Sequence, residues 1–570
     1  MTTRAFTFVV GEPPATKVVY SDGTLTNGGT HATISAAIAA AVPGDVIELR
    51  NRIPGAATWA QTITMNTSGT AAAPITIRVR DGDSVTLSTS GTLLAITGSN
   101  VIVKGNSTGR TGLILGNSSL WASATWNTSY PQTYSLTVSS ANVTVENATC
   151  YGARTYEAAQ IYGTASQVVC RNVKFDLHGT NNSTVGDDRG DIVNNSGLRT
   201  VFEDCEFARG GHNLLNAVGP YQVYRRCTFD ASWAGMGTGF NGCRGAVFGP
   251  GNTTNRKLAT SNPGLYGPQL VEDCIVKNVA PSAGQPANVA TKMQGLRIVM
   301  RGNYFWDNQG AVWNGPGYGD AGTDPNTAEV MARGYGYHNT SYISNGVWTN
   351  IDAAGVANAN HAGFRFVNNV FTGVANGINR NTGALDVNVV NWDANAVTFT
   401  GYANRWKDTV WRDNIFTGTA SLMNFNLTGD TSAVITDGST WSANVTGNDA
   451  TAVTFRNVAA RNKAGFEITS GAGYQDAAPL TTTVGTGSGT TLTVLDAGYF
   501  YDGWGITGET GDWVKVGNNA PVRVTAVNWT TNTLTLASAI SWANGDSVFY
   551  AGNSKTNNAG TVFDNRGAWQ

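Results

Sequence analysis

The chain has 570 residues, of which 13% are charged, and 36 Lys and Arg against 38 Asp and Glu leave a net charge of −2 and a pI near 6.2. That balance excludes the basic surface that nucleic acid or an anionic membrane would require, and no run of about 18 apolar residues is present to span a bilayer. With 69 Gly and 10% aromatic residues, the composition is that of a turn-rich, all-β protein rather than a disordered one.

The opening MTTRAFTFVVGEPPATK lacks the basic region, apolar core and cleavage site of a secretory signal. GTHATISAAIAAAVPGDVIELRN (29–51) predicts an amphipathic helix, then a Pro-Gly-Asp turn into a strand. Residues 1–60 are read as a terminal segment with a helical cap, since the open end of a strand stack would otherwise recruit other chains.

Residues 61–478 carry a repeat. EDCEF (203–207), RRCTF (225–229), EDCIV (272–276), RGNYF (301–305), VNNVF (367–371) and RDNIF (412–416) share one pattern, and GYHNTSY supplies a further instance. Their anchors are Cys205, Cys227, Cys274, Asn303, Asn339, Asn369 and Asn414, separated by 22, 47, 29, 36, 30 and 45 residues. A base period of this size, with doublings and insertions, marks a solenoid. Period-two alternation in TVFEDCEF, YQVYRRCTF and LRIVMRGNYF sends one set of side chains inward and the other outward. Coils of three short parallel strands fit this length, so the predicted fold is a right-handed parallel β-helix in which the repeated Cys or Asn forms an internal corner ladder. Six cysteines would permit disulfides. Three of them share the ladder position, which predicts buried thiols acting as small hydrophobes, and none has zinc-binding spacing.

Two excursions rich in Gly and aromatic residues, 231–267 and 313–336, interrupt the coils where loops would wall a groove. Residues 479–570 lose the repeat, and TTLTVLDAGYF, WVKVGN and PVRVTAVNWTTNTLTL predict a small separate β-domain of hairpins.

The segments TISAAIAAAVPGDVIELRN and SGTAAAPITIRVRDGDSVTL resemble the start of chondroitinase-B-like and alginate-lyase-like β-helix proteins. GGHNLLNAVGPYQVYRRCTF, YHNTSYISNGV and the closing AGTVFDNRGAWQ are similar to segments of bacterial and phage right-handed β-helix proteins. The resemblance covers most of the chain. It implies a polysaccharide substrate and an extracellular setting, either secreted with the signal removed or carried on a phage virion as a tailspike depolymerase. It also implies a monomer, as in secreted lyases, or a homotrimer, as in phage spikes.

A polysaccharide lyase removes a proton beside a uronate carboxylate and stabilises the charge that develops. Lys292 lies eleven residues before the Asn303 anchor, and the same count back from Cys205 and Cys227 reaches Asn194 and Asn216. That register would set Lys292 in an outward row with asparagines able to bind sugar hydroxyls. Chondroitinase-B-type lyases carry their base in a similar Lys-before-Asn context, so the resemblance implies Lys292 as base. Their catalytic arginine follows about one coil later, where this chain has QGAVWNGPGYG (309–319) and no arginine; Arg301 and Arg333 are the candidate substitutes.

A hydrolase would instead use paired carboxylates. Asp187, Asp188 and Asp191, followed by His212, resemble the layout of polygalacturonase-like hydrolases, although GGHN is not Gly-His-Gly. Trp233, Trp306, Trp313, Tyr318, Tyr335 and Tyr337 are candidates for stacking on sugar rings. Asp320, Asp324 and Glu329 offer hard oxygen ligands for Ca2+. The expected function is cleavage of an acidic polysaccharide by β-elimination, with hydrolysis by paired Asp and non-catalytic glycan binding by a spike or adhesin as the alternatives.

Overall fold

The computed structural model describes residues 12–568 except 27, 108, 119–131, 154–156, 179–190, 211–212, 233–243, 249–267, 280–290, 294–296, 315–332, 344, 351–364, 374–376, 379–384, 387–389, 392–409, 417–422, 425–433, 436–444, 447–452, 461, 471–476, 557–558, 564–565 and 567. Short parallel strands wind into coils, each coil pairing with the next, so the chain is a parallel β-helix followed by an antiparallel β-domain. Among the described residues one sheet holds 24 strands and a second holds 13. The larger sheet consists of two ladders that meet at a sharp corner, as where Leu198–Glu203 turns into Glu206–Gly210. No helix among the described residues is long and apolar enough to cross a membrane.

The helix at the start is Ile34–Ala39, capped where the Thr33 hydroxyl accepts from the Ala36 amide at 3.1 Å. Its buried Ile34, Ala37 and Ile38 join Leu49, Ile63 and Met65 in the central core and close the end of the coil stack. Beyond it, alternation is regular: Ile75–Val79 buries every second residue. Equivalent aromatic residues stack from coil to coil, Phe202 on Tyr224 at 5.4 Å and Phe207 on Phe229 at 4.8 Å between ring centroids.

The corner explains the repeat. Asp204, Arg226, Asp273, His338, Asn368 and Asp413 all have φ between 51° and 57°, and Gly302 has φ 63°. A left-handed backbone costs a non-glycine residue about 1 kcal/mol or more, and the next residue in each coil offsets that cost. The Asn303 carboxamide donates to Asn339 Oδ1 at 3.0 Å and to the Val271 carbonyl at 3.0 Å, while its oxygen accepts from the Cys274 amide at 2.8 Å. Asn339 repeats this toward Asn369, and Asn369 toward Asn414. Further up the stack the slot holds thiols, with the Cys227 amide donating to Cys274 Sγ at 3.3 Å. Cys150, Cys170, Cys205, Cys227 and Cys274 are buried free thiols, and Cys243 lies outside the described residues.

One position before the corner runs a second ladder, of charge. The register aligns Glu146, Arg171, Glu203, Arg225, Glu272 and Arg301 in one column, so opposite charges face each other across adjacent strands. Glu203 accepts from Arg171 Nε at 3.0 Å and pairs with Arg226 at 2.8 Å. Burial alone would raise the Glu203 carboxyl, but Arg171, Arg226 and Arg225 bring it down to about 2. Because the folded value lies below the ordinary 4.5, the stability it contributes is complete above that value and is lost as pH falls toward 2. Wild-type melting temperature should therefore fall more steeply than that of Glu203→Gln over this interval, and the gap between the two should close. A gap that stays constant with pH would contradict the assignment.

The far end of the charge column is covered. Six antiparallel strands, Thr481–Thr482, Gly487–Thr493, Trp513–Val516, Val522–Asn528, Thr533–Trp542 and Ser547–Tyr550, form the C-terminal sheet. Tyr550 of this sheet, with Tyr499, Phe500 and Trp504 of the segment leading to Trp513, buries one apolar cluster with Val223, Leu270, Val299 and Val367 of the coils. Residues 453–470 cover part of the neighbouring face, where Phe466 stacks on Trp306 at 4.9 Å.

Candidate functional site

The 13-stranded sheet carries Lys292. Strand Thr291–Met293 pairs with Arg244–Phe248 on one side and Gln309–Asn314 on the other. Through this pairing Lys292 is in register with Val247, and Val247 with Asn216, Asn194 and Gln160 on successive coils. On the other side the same column continues through Asn314, Asn350, Asn391 and Asn424. Where side chains are described, Asn194 and Asn216 are half-buried and Gln160 is 9% exposed, whereas the preceding residues Val193, Leu215 and Thr291 are fully buried. Asn194 and Asn216 thus stand in the outward register of their strands, and with a coil rise of about 4.8 Å the register positions of Asn194 and Lys292 are three coils, about 14 Å, apart.

Asp191 begins the strand Asp191–Asn195 of the same sheet, is 2% exposed, and accepts from Asn213 Nδ2 at 2.8 Å. Its register partner on the previous coil is Glu157, which accepts from Asn194 Nδ2 at 3.4 Å. Burial raises the Glu157 carboxyl above its ordinary value, the Asp191 charge adds to the rise, and the Asn194 hydrogen bond opposes it. A carboxyl shifted this way holds its proton longer and suits a general acid. In the next strand, Arg244 is in register with Asn213 and stands one coil before Lys292. The sheet thus brings together Asp191, Asn194, Asn216 and Lys292 of the expected residues and adds Glu157, Asn213 and Arg244.

Six expected residues fall outside this row. Arg301 is fully buried on the 24-stranded sheet, where its guanidinium meets Glu272 at 2.7 Å and Asp512 at 2.6 Å; it is an anchor for the C-terminal domain and is closed to a substrate. Tyr335 donates to Asp496 at 3.0 Å and Tyr337 to the Tyr499 carbonyl at 2.9 Å, both buried in the same interface. Trp306 is buried under Phe466. These three aromatic residues pack between parts of the chain and leave no face for a sugar. Arg333 begins the strand Arg333–Tyr337 of the 24-stranded sheet, paired with Arg297, and so is on a different sheet from Lys292. Trp313 takes the register position of Thr291, which is fully buried, rather than that of Lys292.

Asp187, Asp188, His212, Trp233, Tyr318, Asp320, Asp324 and Glu329 lie outside the described residues. Among the described residues no group of three or more His, Cys, Asp or Glu side chains is placed to hold a metal ion.

Glu157 and Arg244 escaped the sequence reading because neither belongs to the Cys/Asn repeat. A signal for the column itself was present: an amide three residues ahead of a glycine in Gln160/Gly163, Asn194/Gly197 and Asn216/Gly219, with Lys292/Gly295 at the same spacing.

No protein-family model matches the chain, and no curated protein matches it. Among solved structures it is similar to pectate lyase Pel9A, at 14% identity over 77% of this chain and 97% of that one, with a TM-score of 0.35. It is also similar to an alginate lyase from Paenibacillus sp., at 14% identity over 67% and 99% with a TM-score of 0.31. A lacto-N-biosidase from Eubacterium ramulus matches at 10% identity over 57% and 64%, with a TM-score of 0.34. These are likenesses of architecture, and the assignment as a parallel β-helix stands on the strand register.

Proposed function

We propose that the protein is an extracellular polysaccharide depolymerase that cleaves an acidic glycan by β-elimination on the 13-stranded sheet, with Lys292 as the base. The observation that supports this is the register of Lys292 with Gln160, Asn194 and Asn216 on one side and Asn314 and Asn350 on the other. It sets one amine in a long row of hydroxyl-binding amides. In the proposed step the amine takes the proton at C5, beside the uronate carboxylate. The C–H electron pair becomes the C4=C5 bond, and the C4–O bond breaks with its pair on the glycosidic oxygen, which takes up a proton. Arg244, on the neighbouring strand three residues before Val247, the register partner of Lys292, is the cation of this sheet proposed to hold the carboxylate whose charge grows as the proton leaves.

Hydrolysis is the second reading, favoured by Glu157 beside Asp191. One coil step of about 4.8 Å approaches the carboxyl separation of retaining glycosidases, roughly 5–5.5 Å, with Glu157 as the acid. Incubation with uronate-containing polymers separates the readings. Unsaturated, ultraviolet-absorbing ends are expected, and Glu157→Gln should leave their rate within about threefold of wild type, since general acid catalysis is worth about 10²-fold or more. New reducing ends without unsaturation, abolished in Glu157→Gln, would establish hydrolysis instead. Binding with neither product would mark a non-catalytic glycan-binding protein.

A further inference from the structure

The C-terminal domain rests on the corner that borders the candidate sheet. Counting back one residue from the paired positions Val168, Thr200, Gln222 and Ile298 puts Gln167, Arg199, Tyr221 and Arg297 where their coils enter the 24-stranded sheet. Gln167, Arg199 and Tyr221 hold the left-handed backbone, with φ of 54°, 55° and 57°, which costs such residues about 1 kcal/mol or more. All four side chains meet the C-terminal domain. The Gln167 carboxamide donates to the Gly505 carbonyl and accepts from the Thr507 amide, both at 2.9 Å. Arg199 Nε donates to the Trp504 carbonyl at 2.8 Å, and the Tyr221 ring packs edge-on to Trp504 at 5.9 Å between centroids. The Arg297 guanidinium carbon lies 4.5 Å from the centroid of the Trp529 ring.

This corner runs beside the candidate row. Asn194, Asn216 and Lys292 each stand five residues before a corner residue, Arg199, Tyr221 and Arg297 in turn. Five residues of chain reach at most about 18 Å, and the turn from one sheet to the other shortens that. The domain therefore forms a ledge along the row over the three coils, about 14 Å, that separate Arg199 from Arg297.

At the Arg297 end of the ledge stands Trp529, in the turn between Val522–Asn528 and Thr533–Trp542. It is half-buried, packed against the apolar cluster that joins the domain to the coils. The turn is braced: the Asn528 side-chain oxygen accepts from the Thr530 and Thr531 amides at 3.0 and 3.1 Å, and that of Asn532 accepts from the Ala497 amide at 3.2 Å. An indole fixed in this way offers a rigid apolar surface that costs little further ordering on binding, and the C–H face of a pyranose matches it.

We infer that the C-terminal domain is one wall of the substrate groove and that Trp529 stacks on a sugar ring of the polysaccharide held beside Lys292. The inference rests on the depolymerase reading and adds to it a specificity-determining residue from the second domain.

Two substitutions in the full-length protein test it. Phe and Leu are close in volume, so both keep an apolar side chain against the domain cluster, but only Trp529→Phe keeps a ring. Rates are measured over a range of concentrations of whichever of alginate, polygalacturonate and hyaluronan the wild type cleaves fastest, with thermal melts of each protein. Trp529→Leu should raise KM about tenfold with kcat within about twofold, whereas Trp529→Phe should keep KM within about threefold of wild type. An unchanged KM in Trp529→Leu, equal losses in the two variants, or a defect confined to kcat would overturn the inference while leaving the depolymerase reading intact. Cleavage of none of these polymers by the wild type would count against the depolymerase reading itself and take the inference with it.

Discussion

Lys292→Ala should lower turnover of the preferred polymer by about 10³-fold, the middle of the range for loss of a positioned general base, with little change in melting temperature. The separation of the two effects follows from the way the strand is held. Thr291–Met293 is kept in the sheet by main-chain pairing to the strands on either side, and that pairing is indifferent to the side chain at position 292. Lys292→Arg keeps the charge but replaces the amine by a guanidinium that stays protonated, so it should lose nearly as much activity while retaining binding. Initial rates on one polymer for the three proteins, with thermal melts of each, check this. Turnover within about threefold of wild type in Lys292→Ala would exclude Lys292 as the base.

Arg301→Ala should destabilise the protein by about 3–5 kcal/mol, the usual cost of stripping one partner from a buried ionic group. Arg301, Glu272 and Asp512 are all fully buried. The guanidinium donates to both acids, to the Tyr337 hydroxyl at 3.0 Å, and lies over the Tyr550 ring at 4.5 Å. Its neighbour Arg225 bridges Glu272 to Glu509 of the C-terminal domain, at 2.8 Å to the latter. Removing Arg301 leaves Asp512 with the Asn553 carboxamide at 3.0 Å and the Tyr501 amide at 2.9 Å, which solvate but do not neutralise it. Burial already raises the Asp512 carboxyl above its ordinary value, with Arg301 opposing that rise, so the variant should shed the charge by taking up a proton. Denaturant unfolding should show the loss, and proteolysis should cut first between the coils and the C-terminal domain. Adding Asp512→Asn to Arg301→Met should recover part of the stability, because it removes the orphaned charge. A melting temperature unchanged in Arg301→Ala would contradict an anchoring role.

The same residue shows where sequence reading stops. The solenoid is legible because its signals are local: EDCEF and RRCTF repeat a left-handed corner and the ladder residue after it, and the Asn303, Asn339, Asn369 and Asn414 column follows from their alignment. Lys292 is legible for a related reason, since a fixed count back from the anchor carries over from one coil to the next. Arg301 enters the sequence reading as a substitute for a catalytic arginine and Trp306, Tyr335 and Tyr337 as sugar-stacking residues, and all four face away from the coil core. What alternation cannot reveal is that outward faces are covered by segments 160 to 211 residues further along the chain. Glu157 and Arg244 escaped because their importance comes from register with Asp191 and Asn213 on neighbouring coils, and insertions of variable length hide that register in the linear sequence.

The most direct measurement is a crystal structure of the Lys292→Ala protein with an acidic oligosaccharide bound. The sugar chain should lie on the 13-stranded sheet along the line from Asn194 through Asn216 to Asn350, one unit per coil, with a uronate over position 292. An oligosaccharide bound to the C-terminal domain or to the 24-stranded sheet, with this line bare, would contradict the location of the site and every role assigned to it.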